Sequence, residues 1–342
     1  MSSHVIATDG GLVGTPQTGG REDLLDIMSN VDVKKCPFTT LVNRGTPPGN
    51  VKTTWNVDAY DDPQEDAIVD GTDVAASDYE NHASSRGQIE IYLHTQRRTA
   101  RVSRLANKVM DVAGIGTEIA EALRKKTIEL KRDIERVCLG DGETQAGTTS
   151  LPYKTRGLGK WIQNGAQAVL PVPSAFRTPS NQVITTAMGS FAESTLQDLF
   201  QAVWDTTGGD GDFKVFCGST WKRTFTDMLT NASTRSTNTQ KIMRFLSEAQ
   251  STSKITNSIS FFSGDFGDIE AIPCPYIGMS GANTVDKDRA YFLDMSKINL
   301  KVAQDPSPEY FEDRGAGPRF MLEVIYALAV TNPLGLAKHQ PT

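Results

Sequence analysis

The sequence predicts an α+β fold, and three observations lead there. Residues Val51 to Tyr60 alternate between two faces; Ile119, Leu123, Leu130, Ile134 and Val137 recur at helical spacing; the last third carries short apolar runs separated by turn residues. The chain has 342 residues, 38% of them hydrophobic, and a net charge of −6. That composition supports a sizeable core, and the acidic balance argues against a surface built to neutralise phosphates. No apolar run approaches the roughly 20 residues that span a bilayer. Met1 to Gly20 is polar and glycine-rich, without a signal pattern. No membrane partner is expected, and the chain reads as a soluble protein made in a cytosol.

Taken in order, residues 1–30 begin as an arm in which Gly10, Gly11, Gly14, Gly19 and Gly20 are entropically costly to fix. A short helix is expected over Arg21 to Asn30, and Pro37 stops helical angles at Cys36. In the strand at Val51 to Tyr60, Val51, Thr53, Trp55, Val57 and Ala59 share one face, with Lys52, Thr54, Asn56 and Asp58 on the other. A second strand is expected over Gln88 to Val102, with Ile89, Ile91 and Leu93 on one face. The simplest topology is a long hairpin with Asp61 to Gly87 as its tip. A regular helix follows from Thr117, its N-cap, to about Leu139, with Glu118 and Glu121 in the first turn. The pairs Glu121–Lys125, Lys125–Glu129 and Lys131–Glu135 fall at i,i+4 and are expected on outer faces. Gly140 and Gly142 end that helix.

Residues 140–182 are loop-rich. Beyond Val183, Leu196, Leu199, Phe200, Val203 and Trp204 define a helix ending at Gly208-Gly209. A buried strand is expected at Phe213 to Cys217 and a helix at Thr220 to Leu229. Further strands are expected at Ile259 to Phe262, Ile269 to Ile272, Arg289 to Leu293 and Ile298 to Ala303. Val324, Ile325 and Tyr326 favour strand over helix for Phe320 to Val330.

The search for chemistry yields little. Gly157-Leu158-Gly159-Lys160 is followed by Trp161, so it is not a phosphate loop. Gly278-Met279-Ser280-Gly281 lacks the spacing of a nucleophile elbow and reads as a turn. The four histidines are scattered, without metal-ligand spacing. Asp205, Asp210 and Asp212 lie among glycines but lack the closing glutamate of a calcium loop. The four cysteines are far apart and expected to be reduced and structural. No cofactor is expected. The informative stretch is Asp61 to Gly87, which carries Asp61, Asp62, Glu65, Asp66, Asp70, Asp73, Asp78 and Glu80 against Arg86 alone. It reads either as a solvated loop or as the end of a ribbon that lies on another surface, because a two-stranded ribbon by itself is marginal in water. Arg97, Arg98, Arg101 and Arg104 form a basic run expected to meet carboxylates of the same or a neighbouring chain. Head-to-tail contacts of that kind generate rings or lattices.

The order of these segments resembles that of Hong Kong 97-type major capsid proteins of tailed bacteriophages. The similarity is carried by Gly19-Gly20-Arg21-Glu22-Asp23-Leu24-Leu25-Asp26-Ile27, Cys36-Pro37-Phe38 and Trp55. It continues through Glu129-Leu130-Lys131-Arg132-Asp133, Arg156 to Ile162 and Ala327 to Pro333. From about Val183 to Asp288 the match is one of architecture. The resemblance implies an α+β Hong Kong 97-type fold with an N-terminal arm (1–50) and an extended β-hairpin loop (51–104). A peripheral domain (105–182 and 289–342) would hold the spine helix (117–139), and an axial α/β domain would span 183–288. It implies a structural, non-enzymatic subunit that assembles with itself into hexamers and pentamers of an icosahedral shell around double-stranded DNA. The virion would be its location and the host cytoplasm its place of assembly. Portal, separate scaffolding and decoration proteins would be partners, and packaged DNA would be met non-specifically on the inner face.

Two departures from the family stand out. No lysine lies between Lys52 and Lys108, so cross-linking of a loop lysine to a neighbour's asparagine is not expected, and the arm is too short to contain a scaffold. Inter-subunit contacts are expected from Trp55, Asp61, Asp62, Glu65, Asp66, Asp70 and Asp73, from Arg97, Arg98 and Arg101, and from Lys125, Lys126 and Arg132. An encapsulin-like shell with protein cargo, or an enzyme with an unrecognised site, is the alternative. The capsid reading rests on one expectation, that the ribbon from Val51 to Val102 leaves an apolar face which only a sister copy can cover.

Overall fold

The computed structural model describes residues 35–60, 63, 65, 67–76, 79, 86–109, 117–165, 172–208, 213–230, 260–264, 266–278, 286–313, 315 and 317–341. The arm up to residue 34, its expected helix, and Asp210 and Asp212 lie outside them. A short helix α1 (Pro37–Leu41) opens the described chain, with Pro37 at its first turn, and strand β1 (Asn43–Gly45) follows. Strands β2 (Lys52–Val57) and β3 (Gly87–Tyr92) form a two-stranded ribbon. The second strand expected from sequence is in fact two: the ladder with β2 stops at Tyr92, Leu93 donates its N–H to the Val51 carbonyl, and β4 (His94–Arg101) enters another sheet. Helix α2 (Arg104–Val109) precedes the long α3 (Glu118–Cys138), which begins with the Glu121 N–H donating to the Thr117 carbonyl, as the capping pattern predicts.

A four-residue helix α4 (Leu158–Trp161) and strand β5 (Val183–Ile184) lead to α5 (Glu193–Thr207), which ends where Gly208 takes the left-handed conformation at φ 61°. Strand β6 (Phe213–Cys217), helix α6 (Ser219–Thr230), and strands β7 (Phe261–Gly264), β8 (Gly267–Pro273) and β9 (Ala290–Leu293) follow. The last strands are β10 (Ile298–Phe311), β11 (Arg319–Val330) and β12 (Ala337–His339). Strand β10 runs well beyond the expected Ala303, through Pro306 and Pro308. Its parallel partner β1 reaches only Lys301, so both prolines lie beyond the β1 pairing, where a missing N–H is tolerated more readily than in a strand paired on both sides.

The described chain forms two compact units. The larger comprises Lys34–Arg98, Thr127–Pro308 and Leu322–Thr342. Its six-stranded sheet has the order β5-β12-β9-β6-β8-β7. Leu196, Leu199, Phe200 and Val203 of α5 and Trp221 and Phe225 of α6 pack with Val215, Ile269 and Phe292 of the sheet in one buried core. Phe38 of α1 meets Phe216 of β6 edge-on at 5.4 Å. Strand β12 lies parallel to β5 and antiparallel to β9. It is fastened by His339, whose ring accepts from the Trp221 indole at 3.0 Å and lies 2.7 Å from the Thr186 carbonyl. A four-stranded sheet has the order β1-β10-β11-β4. The smaller unit contains Thr99–Lys126 and Glu309–Met321. There Asp313 takes Arg104 at 2.6 Å and the Gly315 and Gly317 N–H groups at 2.9 and 3.0 Å, and the Arg104 bond holds its carboxyl below the usual range. Val102 donates to the Pro318 carbonyl.

The second half of α3 departs from its expected outward charge pattern. Glu135 is fully buried instead of pairing with Lys131 outside. Its two oxygens accept the backbone N–H groups of Phe38 and Thr39 at 2.9 and 2.7 Å, and the Cys274 thiol lies 3.4 Å away. The four cysteines are free. Burial pushes Cys36 to about 11 and Cys217 to about 12, and it raises Cys138 and Cys274 as well, which suppresses thiolate chemistry.

Past the end of α3, Arg289 takes both Asp141 oxygens at 2.7 Å, Asp286 at 3.0 Å and the Tyr291 hydroxyl at 3.0 Å. The Gly157–Gly159 turn is wedged into this network, and the buried Lys338 ammonium donates to the Gly159 carbonyl. A Cβ on Gly159 would collide with the Asp141 carboxylate, and one on Gly157 with the Gly140 carbonyl. Gly159→Ala should therefore lose about 2–4 kcal/mol in urea unfolding of the dissociated subunit. Gly142→Ala, where a Cβ meets nothing within 4 Å, should stay within about 1 kcal/mol of the parent.

Candidate assembly surface

The ribbon pairs Thr53 with Ile91, Trp55 with Ile89 and Val57 with Gly87. Alternation places these six on one face, and that face is covered by the chain's own body. Ile89 and Ile91 are each only 1% exposed. The Trp55 ring lies 6.3 Å from that of Trp161. Gly87 has no room for a side chain, because a Cβ would stand 2.7 Å from Pro173 and 3.1 Å from Phe176. The expectation that the ribbon's apolar face needs a sister copy is therefore wrong at its root. The covering residues lie about 85 to 105 positions further along the chain from the residues they touch, so no local pattern announces them. The outer face is polar, with Lys52 paired to Glu90.

The surface that lacks cover begins past Val57. Arg86, the lone cation of the acidic stretch, pairs across the neck with Asp58 at 3.0 Å. Beyond that neck Tyr60, Ile68, Val69, Val74 and Tyr79 are exposed, Ile68 at 82% and Val69 at 77%. The Thr72 N–H donates to the Val69 carbonyl at 3.1 Å, and Gly71 sits at φ 82°. That is a tight turn whose third residue must take the left-handed conformation. The turn holds Ile68 and Val69 beside Asp70. The Asp70-Gly71 pair is a turn signal readable from sequence, and Ile68, Val69 and Val74 are apolar side chains too few and too isolated to form a core among so many carboxylates.

The expected contact residues fall into three groups. Glu65, Asp70 and Asp73 are exposed on the loop, while Asp61, Asp62 and Asp66 lie outside the described residues. Trp55 is half-buried and turned onto Trp161, and Arg98 grips Asp133 of α3 at 2.5 and 2.7 Å, with Glu129 at 3.8 Å. Both are engaged within their own chain. Arg97 and Arg101 alternate with Arg98 along β4 and are exposed; Lys125 is exposed beside Glu121 at 3.8 Å, and Lys126 and Arg132 are half-buried on α3. Among the described residues no cluster of histidine, cysteine or carboxylate side chains could hold a metal ion, and no helix is long and apolar enough to cross a membrane.

This architecture is the Hong Kong 97-type capsid fold. The chain is similar to a solved structure from Mycobacterium phage Ogopogo, at 12% identity and a TM-score of 0.57, over 94% of this chain and 96% of that one. It is similar to one from Gordonia phage Cozz, at 15% identity and 0.56, over 100% and 96%. It is also similar to the capsid of a native GTA particle, at 12% identity and 0.59, over 98% and 100%. The model of the SU10 major capsid protein family matches residues 9–340, and the chain belongs to that family. It is a structural protein of the virion shell that assembles with copies of itself. No curated protein sequence matches it.

Because Ile89 is buried by its own chain, Ile89→Ala should cost the dissociated subunit about 2–4 kcal/mol, read as a fall in the urea midpoint. A ribbon held only by a neighbour would show no such loss. The ring of His94, at the joint between ribbon and sheet, lies 5.5 Å from that of Tyr326, tilted by 51°. Burial, with the Lys154 charge, lowers its pKa from 6.5 to about 4. The unfolded chain takes up this proton as pH falls below 6.5 and the folded one does so only near 4. The stability it protects is thus complete above 6.5 and is lost toward 4. His94→Gln should reduce the loss of stability between pH 7 and pH 4.5 by about 2 kcal/mol, measured by urea unfolding at both values.

Proposed function

We propose that the subunit forms the hexamers and pentamers of an icosahedral shell around double-stranded DNA, and that residues 58–86 are its main reach onto a neighbouring copy. The observation that carries this reading is the pairing of exposed Ile68, Val69 and Val74 with a dense set of carboxylates. Apolar side chains left in water favour burial at roughly 25 cal/mol per Å², and the carboxylates restrict that burial to a basic surface. Asp61, Asp62, Glu65, Asp66, Asp70 and Asp73 of one copy would meet Lys125, Lys126 and Arg132 of the next, with Arg97 and Arg101 as further cations. Trp55 and Arg98 support the reach from within. Each exposed ion pair contributes about 0–1 kcal/mol, so the apolar contacts and their repetition around the shell carry the stability.

In this scheme residues 1–50 are the arm and 51–104 the reaching element. Residues 105–182 with 289–342 form the peripheral domain, and 183–288 the axial one. Portal, separate scaffolding and decoration proteins are its partners, assembly takes place in the host cytoplasm, and DNA meets the inner face without sequence preference. A second reading has one observation behind it. The chain is similar to a SrpI encapsulin from Synechococcus elongatus, at 14% identity and a TM-score of 0.53, over 92% of this chain and 91% of that one. Nuclease-protected DNA in purified particles supports the phage shell, and a co-purified protein cargo supports the encapsulin type.

Replacing residues 62–85 with a short Gly-Ser linker keeps the Asp58–Arg86 neck. The variant should fold with an unchanged thermal midpoint yet give no closed particles by negative-stain microscopy. Normal particles from it would end this account of the loop. Assembly of the parent should also slow as salt rises from about 0.05 to about 0.5 M, where screening shortens the reach of the carboxylates.

A further inference from the structure

The root of the ribbon contains a chain of ring and cation contacts that neither the fold nor the family explains. The Lys301 ammonium of β10 lies 5.8 Å over the Trp55 ring of β2. Trp55 meets Trp161 of α4 at 6.3 Å, with 32° between the rings, and the Arg156 guanidinium lies 5.1 Å over Trp161. The inner pair is rigid: Trp161 and Arg156 are buried, and Arg156 is held by Glu143 at 2.8 Å. The outer pair, Trp55 and Lys301, is half-buried at the rim. Gly45, opposite Lys301 in the β1–β10 register, keeps the space for the lysine stem, since a Cβ there would stand 3.2 Å from its Cγ.

Neither indole N–H finds an acceptor among the described residues. Hydrogen bonding therefore does not orient these rings, and the Trp55 ring takes its angle from the faces it touches: the Lys301 cation and the Trp161 ring. Trp55 lies two residues before Val57, the last paired position of β2, and three before the Asp58–Arg86 neck. The seat of this ring therefore lies at the end of the ladder from which residues 58–86 depart.

We propose that Lys301 and Trp161 are positioning residues that hold Trp55 and so set the direction in which residues 58–86 leave the subunit, which makes the stack a determinant of shell geometry. The inference rests on the reading that this loop meets a neighbouring copy. Lys301→Met preserves the half-buried stem and removes the cation, whereas Lys301→Arg restores it. Both are compared with the loop deletion, by the thermal midpoint of the dissociated subunit and by particle yield and diameter in light scattering and electron microscopy. Lys301→Met should stay within about 2 °C of the parental midpoint but yield at least roughly tenfold fewer particles of parental diameter, because a small bias of cation–π strength is repeated in every subunit. Lys301→Arg should recover parental particles. Parental yield and diameter from Lys301→Met, with particles lost in the loop deletion, would overturn the role of the stack alone. Particles from the loop deletion would overturn the stack and the loop together.

Discussion

The buried Glu135 carboxylate organises the larger unit. It has no cation beside it among the described residues, and burial raises its pKa while the Phe38 and Thr39 N–H groups pull the other way. Removing those donors would leave a buried carboxylate with only the Cys274 thiol, and removing the carboxylate would strand the buried Phe38 N–H at about 1–3 kcal/mol. The bonds join positions nearly a hundred residues apart and seat Phe38 against Phe216. Two residues earlier on the same helix, Asp133 holds Arg98 of β4. Just past the helix, the Leu139 carbonyl receives the Tyr291 hydroxyl and the Gly278 N–H. Within two turns the helix thus engages both sheets and the base of the N-terminal segment, so its position fixes theirs.

Much of this was legible in the sequence wherever the signal was periodic or conformational. The apolar stripe from Ile119 to Val137 and the glycines behind it bounded α3. Gly208 marked the end of α5, and the β-branched run at Val324 and Ile325 distinguished strand from helix in β11. What stayed hidden depended on partners distant in the chain. Glu135 sits four residues from Lys131, the spacing of a surface pair, and only the arrival of α1 turns it inward. Strand β1 has three residues, too few for any period. Strand β10 outruns the expected Ala303 because nothing local shows that Pro306 and Pro308 fall beyond the β1 pairing.

The proposed assembly surface was legible in charge but not in where apolar area is left over. The density of carboxylates marked residues 61–80, whereas the alternation of the flanking strands pointed to the ribbon as the unsatisfied part. Alternation reports that one face is to be covered, not which segment covers it. Trp161, Pro173 and Phe176 supply that cover, and Lys301, an ordinary strand lysine by sequence, completes the seat of Trp55. The division that results is mechanical: a root fixed by its own chain, and a tip whose apolar side chains have nothing of their own to rest on.

Strand β12 carries a consequence for the order of events during synthesis. Among the described residues β5 has no sheet partner other than β12, and more than 150 residues separate them. Until residues 337–339 leave the ribosome, β5 is unpaired, one edge of β9 is open, and the Trp221 indole lacks the His339 ring. Closing so long a loop is slow, so the larger unit matures after residues 58–86 are already made. If residues 58–86 meet a neighbour as proposed, a nascent chain displays them before it has a finished body to place in a shell, a window in which a holding chaperone or a rapid final docking of β12 would keep unfinished subunits from joining one another.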